Sequence, residues 1–97
     1  MIHMAPLKID DKTATGLKVN LPDSPPLVMI IGEIGFIMCG FLNMEAAEKL
    51  NVVAATVSGV KSFDDVLEAD VKAVTSRAER KGIRVGMKGR DAVKLLF

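Results

Sequence analysis

Few residues in this chain are able to do chemistry. Cys39, the one cysteine, closes the run Gly35-Phe36-Ile37-Met38-Cys39-Gly40. A nucleophilic or redox-active thiol needs its pKa lowered by a cation, a histidine or a helix N-terminus. A helix expected to start after Asn43 lies close in sequence, but the one histidine, His3, stands in a terminus expected to fray. No Cys/His/Asn set assembles from these types. Free cysteine is among the most buried residue types, so a packed thiol is the weightier reading. Cys39 remains the sole candidate for catalysis.

The second candidate is Gly86-Met87-Lys88-Gly89-Arg90. Two glycines loosen the backbone just before an expected helix. Free N–H groups of Gly86 and Gly89, with Lys88 and Arg90 alongside, would cradle a small anion. The plain alternative is that these glycines only let the chain turn. Neither the P-loop spacing nor a dinucleotide fingerprint is present, and no cofactor is expected. No metal is expected either. A structural zinc needs four Cys or His ligands, and Cys39 and His3 are the only two. Asp64, Asp65, Glu68 and Asp70 match no calcium loop, and acids at a helix start serve the helix.

The elements that must position these groups are legible from periodicity. Pro6–Asp11 and Thr13–Leu21 alternate as strands, with Asp10-Asp11-Lys12 as the turn of a hairpin. Thr15, Leu17, Val19 and Leu21 share one face. Pro22-Asp23-Ser24-Pro25-Pro26 reads as a loop. Leu27–Ile31 is a continuous apolar run typical of a buried strand, and Phe36–Cys39 returns after the Gly32–Gly35 turn. Asn43 is an N-cap for a helix whose Met44, Ala47 and Leu50 share a face, closed by Asn51. Val52–Val57 is a core strand. Ser62-Phe63-Asp64-Asp65 is a capping pattern that opens a helix with Phe63, Val66 and Leu67 inward. Asp70 is expected to start the longest helix, with Val71, Val74, Thr75 and Ala78 on one face, Arg80 and Lys81 in its last turn and Gly82 as its stop. A final helix runs from about Gly89 to Leu96.

Strands first and helices later predict an α+β fold, with a mainly antiparallel N-terminal sheet and three to four helices in the C-terminal half. The 97 residues are expected to make one domain, β-rich over 1–42 and mixed over 43–97. A chain this short buries only roughly 60–65% of its unfolded surface. Yet 49% of its residues are hydrophobic, and they are aliphatic rather than aromatic. The surplus predicts a subunit interface made by the early strands and the uncovered sheet face. A lone cysteine excludes an intrachain disulfide. Residues 27–42 are apolar, but Glu33 and three glycines break them up, so strands fit better than a membrane span. With no secretory-leader pattern at the N-terminus, the chain is read as cytoplasmic.

Charge is unevenly spread. Residues 1–70 carry five Lys against ten Asp or Glu, and residues 71–97 carry eight Lys or Arg against two acids. Such a split can mark a nucleic-acid surface, but no aromatic side chains are interleaved with the basic ones to stack on bases. Opposite halves facing each other is the simpler expectation.

Several segments together resemble a small bacterial and archaeal family called domain of unknown function 1805. They are Gly35–Gly40 followed by Phe41-Leu42-Asn43, then Ser58-Gly59-Val60, Val74-Thr75, and Gly82 to Ala92. The likeness runs over nearly the whole chain, and departs from the family's more polar turn at Glu33-Ile34. It implies an N-terminal β region used for tetramerisation, and it brings no catalytic residue. The expectation is a homo-oligomer, a tetramer, with the chain itself as partner. The alternatives are a small enzyme or phosphate-type anion binder using Cys39 with Lys88 and Arg90, and a nucleic-acid binder using the basic C-terminal segment.

Overall fold

The apolar runs of the first half become four strands: β1 (Ile2–Ile9), β2 (Lys12–Val19), β3 (Leu27–Ile31) and β4 (Gly35–Met38). They belong to a computed structural model that describes residues 1–97. Helix α1 (Met44–Lys49) leads to β5 (Val53–Thr56). After it come α2 (Phe63–Glu68), β6 (Ala73–Val74), α3 (Ser76–Arg80), α4 (Gly89–Val93) and a 3-10 turn, Lys94–Leu96. The six strands form one sheet in sequence order. All neighbours are antiparallel except β4 and β5, which run parallel across the α1 crossover. The fold is α+β with a mixed sheet.

Local signals set most of the boundaries. Asn43 Oδ1 accepts from the Ala46 N–H at 3.1 Å, and Asn51 closes α1 at φ 59. Ser62 Oγ accepts from the Asp65 N–H at 3.1 Å. The Asp65 carboxylate in turn accepts from the Lys61 N–H at 3.0 Å. These contacts satisfy amides at the start of α2 that the helix itself leaves unpaired. Val66 is buried, with Phe63 and Leu67 packed beside it. His3 lies within β1, which begins at Ile2, paired with Val19.

The long helix expected from Asp70 does not form. Ala73 and Val74 are instead a short strand against β5, and the helix is confined to Ser76–Arg80. The open edge of β5 decides this. Its backbone groups must find partners, and Lys72 N and Thr75 N donate to the Thr56 and Ala54 carbonyls at 2.8 and 3.0 Å. Val and Thr favour strand over helix, and Thr75 is a good N-cap. Leu50 also departs from the expected inner face of α1: it is 74% exposed, and only Ala47 is buried there.

Register assigns each side chain to a face. One row across the sheet runs Ala5, Gly16, Ile30, Ile37, Ala55, Val74. It faces the core, where α2 lays Phe63 against Gly16 and α4 packs on α2. The alternate row runs Met4, Leu17, Met29, Met38, Thr56, Ala73, flanked by Ile2, Val19, Leu27 and by Pro6, Thr15, Ile31, Phe36. Over β1 to β4 this second face is apolar, and its side chains are half-buried or exposed; Ile2 and Met4 are 66% and 69% exposed. The alternation of Thr15, Leu17 and Val19 thus marks the uncovered face, while Ala14 and Gly16 point inward.

Candidate functional site

The parallel pair β4–β5 places the residues that end these two strands side by side. Cys39 leaves β4, and Ser58 to Lys61 leave the β5 side. Cys39 is buried, and its N–H donates to the Val28 carbonyl at 3.0 Å. The Val28 N–H in turn donates to Cys39 Sγ at 3.4 Å. This pairing extends the β3–β4 ladder by one residue and ties the thiol to the core. Its outer side borders a cavity of about 300 Å³. The Pro25-Pro26 turn, Cys39 to Phe41, and Ser58 to Lys61 form the walls. His3 lies on β1 opposite Lys18 and does not line this cavity.

The Gly86–Arg90 turn has a different job. Gly86 N and Gly89 N donate inward to the Val71 and Ala69 carbonyls, each at 2.8 Å. A Cβ at Gly89 would collide with the Val66 carbonyl oxygen, so glycine is what lets α4 close on α2. Lys88 Nζ donates to the Glu68 carbonyl at 3.0 Å and pairs with Asp70 at 3.3 Å. Arg90 pairs with Glu68. The donors expected to cradle an anion are therefore engaged in the fold. Cys39 and Arg90 do not meet: Arg90 borders a second, smaller cavity of about 180 Å³ with Lys8, Asp10 and Lys94.

The uneven charge resolves in the same way. Lys88–Asp70, Arg90–Glu68 and Lys94–Asp10 each join the basic C-terminal segment to an acid of the first seventy residues. Glu48 completes the pattern by accepting from the Ser76 N–H at 2.9 Å, at the start of α3. That backbone hydrogen bond, aided by the Ser76 hydroxyl and the Arg80 charge, holds its carboxyl below the ordinary 4.5. A lowered folded-state pKa means the contribution is whole above the unfolded value and is lost as pH falls through the folded one. Glu48→Gln is therefore expected to melt below wild type near neutrality and to converge with it in acid. Thermal scans along a pH series check this; a gap that persists in acid would point to packing rather than charge.

Sequence reasoning singled out Cys39 but missed Lys61 as its neighbour. The available signal was Ser58-Gly59 directly after a buried strand, a place where a crevice forms once that strand lies parallel to another.

A six-stranded mixed sheet with four short helices, an apolar open face over β1 to β4 and a small cavity at the end of its parallel pair defines a small α+β protein. The chain belongs to the family called Domain of unknown function (DUF1805), which matches residues 38–96. It is 34% identical over 97 residues to the uncharacterized protein YunC of Bacillus subtilis (strain 168), covering 96% of this chain and 95% of that protein. The crystal structure of TA1206, a protein of unknown function from Thermoplasma acidophilum, superposes with a TM-score of 0.95 at 35% identity. It covers all of this chain and 94% of that one. A further match, 31% identical over 83 residues, is to the isoleucine–tRNA ligase of Bifidobacterium longum (strain NCC 2705) and spans only 8% of that enzyme.

Proposed function

We propose that the protein works as a cytoplasmic homo-oligomer, a tetramer, built on the open face of its sheet. The observation that carries this reading is the apolar surface made by Met4, Leu17, Met29 and Met38 with the rows beside them. Contiguous apolar patches of this kind mark interaction sites. A second copy is the partner that fits. The rows from Ile2 to Phe36 on this face hold no charged side chain, so the surface needs no complementary charge and can pack against further copies of itself. Its three methionines, Met4, Met29 and Met38, adapt easily to a facing surface. Pro6 removes one N–H from the free edge of β1, which favours face-to-face over edge-to-edge pairing. The family resemblance, with its N-terminal tetramerisation region, supports the same reading. No helix is long and apolar enough to cross a membrane.

Sedimentation velocity at micromolar concentration tests it. The expected species has four times the 10.4 kDa chain mass. A stable single-chain particle would remove the proposal.

A second reading, a protein that binds a small ligand, is favoured by one observation: the cavity beside Cys39 lies beyond the carboxyl ends of the parallel strands. That is where ligands settle in parallel sheets. It replaces the pairing of Cys39 with Lys88 and Arg90, which line no common cavity.

A further inference from the structure

The cavity beside Cys39 is walled mostly by carbon: the Pro25-Pro26 turn, Phe41 and Val60, with the Cys39 thiol among them. At about 300 Å³ it stands at the lower limit of ordinary ligand pockets, roughly 300–1,000 Å³. A bulky cofactor is too large for it; a small organic molecule is not. Phe41 is 50% exposed, so its ring is accessible to a molecule in the cavity.

One cation, Lys61, stands in the lining, and the Asp65 carboxylate lies close to it, accepting from its backbone N–H at 3.0 Å. Lys61 is the only charged residue among those that line the cavity, and no carboxylate shares the lining with it. It forms no ion pair, as is true of most Lys and Arg residues of the chain, and is free to meet a ligand. The backbone N–H groups of Ser58, Gly59 and Val60 donate to no protein acceptor, and neither do those of Gly40 and Phe41 across the gap. Gly59 holds a left-handed φ of 70. Successive free N–H groups around a left-handed residue form a concavity that receives an anion. One lysine calls for one negative charge, and the apolar walls call for a hydrocarbon body.

We propose that this cavity binds a small organic monoacid, its branched or aromatic body against Phe41 and Val60 and its carboxylate at Lys61 and the Ser58–Val60 amides. The proposal rests on the second reading above, that the cavity is a ligand site, and adds the class of ligand. The thiol takes no covalent part in it. Cys39 is a wall of the site and a built-in reporter of its occupancy.

Calorimetric titration of the intact oligomer with phenylacetate and isovalerate, with their neutral amides, and with inorganic phosphate tests the assignment. At least one acid is expected to bind at one per chain. Its amide is expected to bind about tenfold more weakly, a difference of about 1.4 kcal/mol. Lys61→Gln is expected to bring the acid down to the level of the amide. Lys61 is exposed, so this substitution leaves the fold intact. Phe41→Ala is expected to weaken acid and amide alike, and bound acid is expected to slow alkylation of Cys39 by iodoacetamide. If acid and amide bind equally, or Lys61→Gln changes nothing, the carboxylate assignment falls while the ligand site stands. If phosphate matches the acids, the site is a bare anion nest and the apolar body is wrong. If neither acids nor amides bind, the ligand reading falls with it.

Discussion

Met29→Asp is expected to turn the assembly into single chains. Met29 lies at the middle of the open face, opposite Leu17 on one side and Met38 on the other. In a contact between copies the substitution buries a carboxylate from each, with no cation in the rows from Ile2 to Phe36 to meet it. The effective penalty is several kcal/mol per ion. A loss of more than about 4 kcal/mol raises the dissociation constant roughly a thousandfold. The single chain itself should tolerate the change, because Met29 points away from the core. Sedimentation or light scattering is expected to give a particle near 10.4 kDa with an unaltered circular dichroism spectrum. Val85→Asp is the control. Val85 is 62% exposed on the segment between α3 and α4, and its charge should leave the assembly whole. If Met29→Asp stays assembled at low concentration, the contact lies elsewhere on the molecule.

The second large effect is expected at Thr75, which is 1% exposed. Its hydroxyl donates to the Val52 carbonyl at 2.7 Å, and accepts from the Ala54 N–H at 3.1 Å and the Ala78 N–H at 3.2 Å. One hydroxyl has one hydrogen and two lone pairs, and here all three are in use. The same atom therefore caps α3 and binds the open edge of β5. Thr75→Val keeps the shape and removes every one of these bonds, leaving buried groups without partners at roughly 1–3 kcal/mol each. With partial relaxation the expected loss is about 3 kcal/mol, or a fall in melting temperature of roughly 10–20 °C for a chain of this size. Thr75→Ser keeps the hydroxyl and gives up one methyl, so it should cost only about 1 kcal/mol. Comparable losses in both variants would mean the methyl, rather than the hydrogen bonds, holds this junction.

Thr75 also shows where sequence reading fails. Val71, Val74, Thr75 and Ala78 recur at helical spacing, and a helix from Asp70 is the natural inference. The spacing is real but its cause is not one helix. Val71 and Val74 enter the core from an extended segment, and Ala78 enters it from a separate short helix. What overrides periodicity is the unpaired edge of β5, a partner some twenty residues away that no local window contains.

The hairpin, the strand–loop–strand order, the Asn43 and Ser62 caps and the inward Phe63 and Val66 were all legible, because each depends on residues within a few positions of one another. The candidate site was half legible. Cys39 stands out by type. Lys61 does not, because Ser58-Gly59 beside it marks a crevice only once β5 is known to run parallel to β4. The Gly86–Arg90 turn was misleading for a related reason. Its glycines and cations do suit an anion, and only the approach of α4 to α2 shows that the amides and charges are already engaged.

By itself, the sequence determined the pattern of hydrophobic and polar residues, the caps and turns, and an aliphatic surplus too large for a chain of this length. These follow from side-chain chemistry and short-range geometry. Tertiary structure alone decided which alternate rows face the core, that β4 and β5 run parallel, that Lys61 reaches the cavity at their ends, and that three cations of the basic tail pair with acids from the other half. Those outcomes depend on register and on long-range pairing. A shift of one residue in register exchanges the two faces of a strand, and the faces that neighbouring strands present are fixed only when the sheet closes.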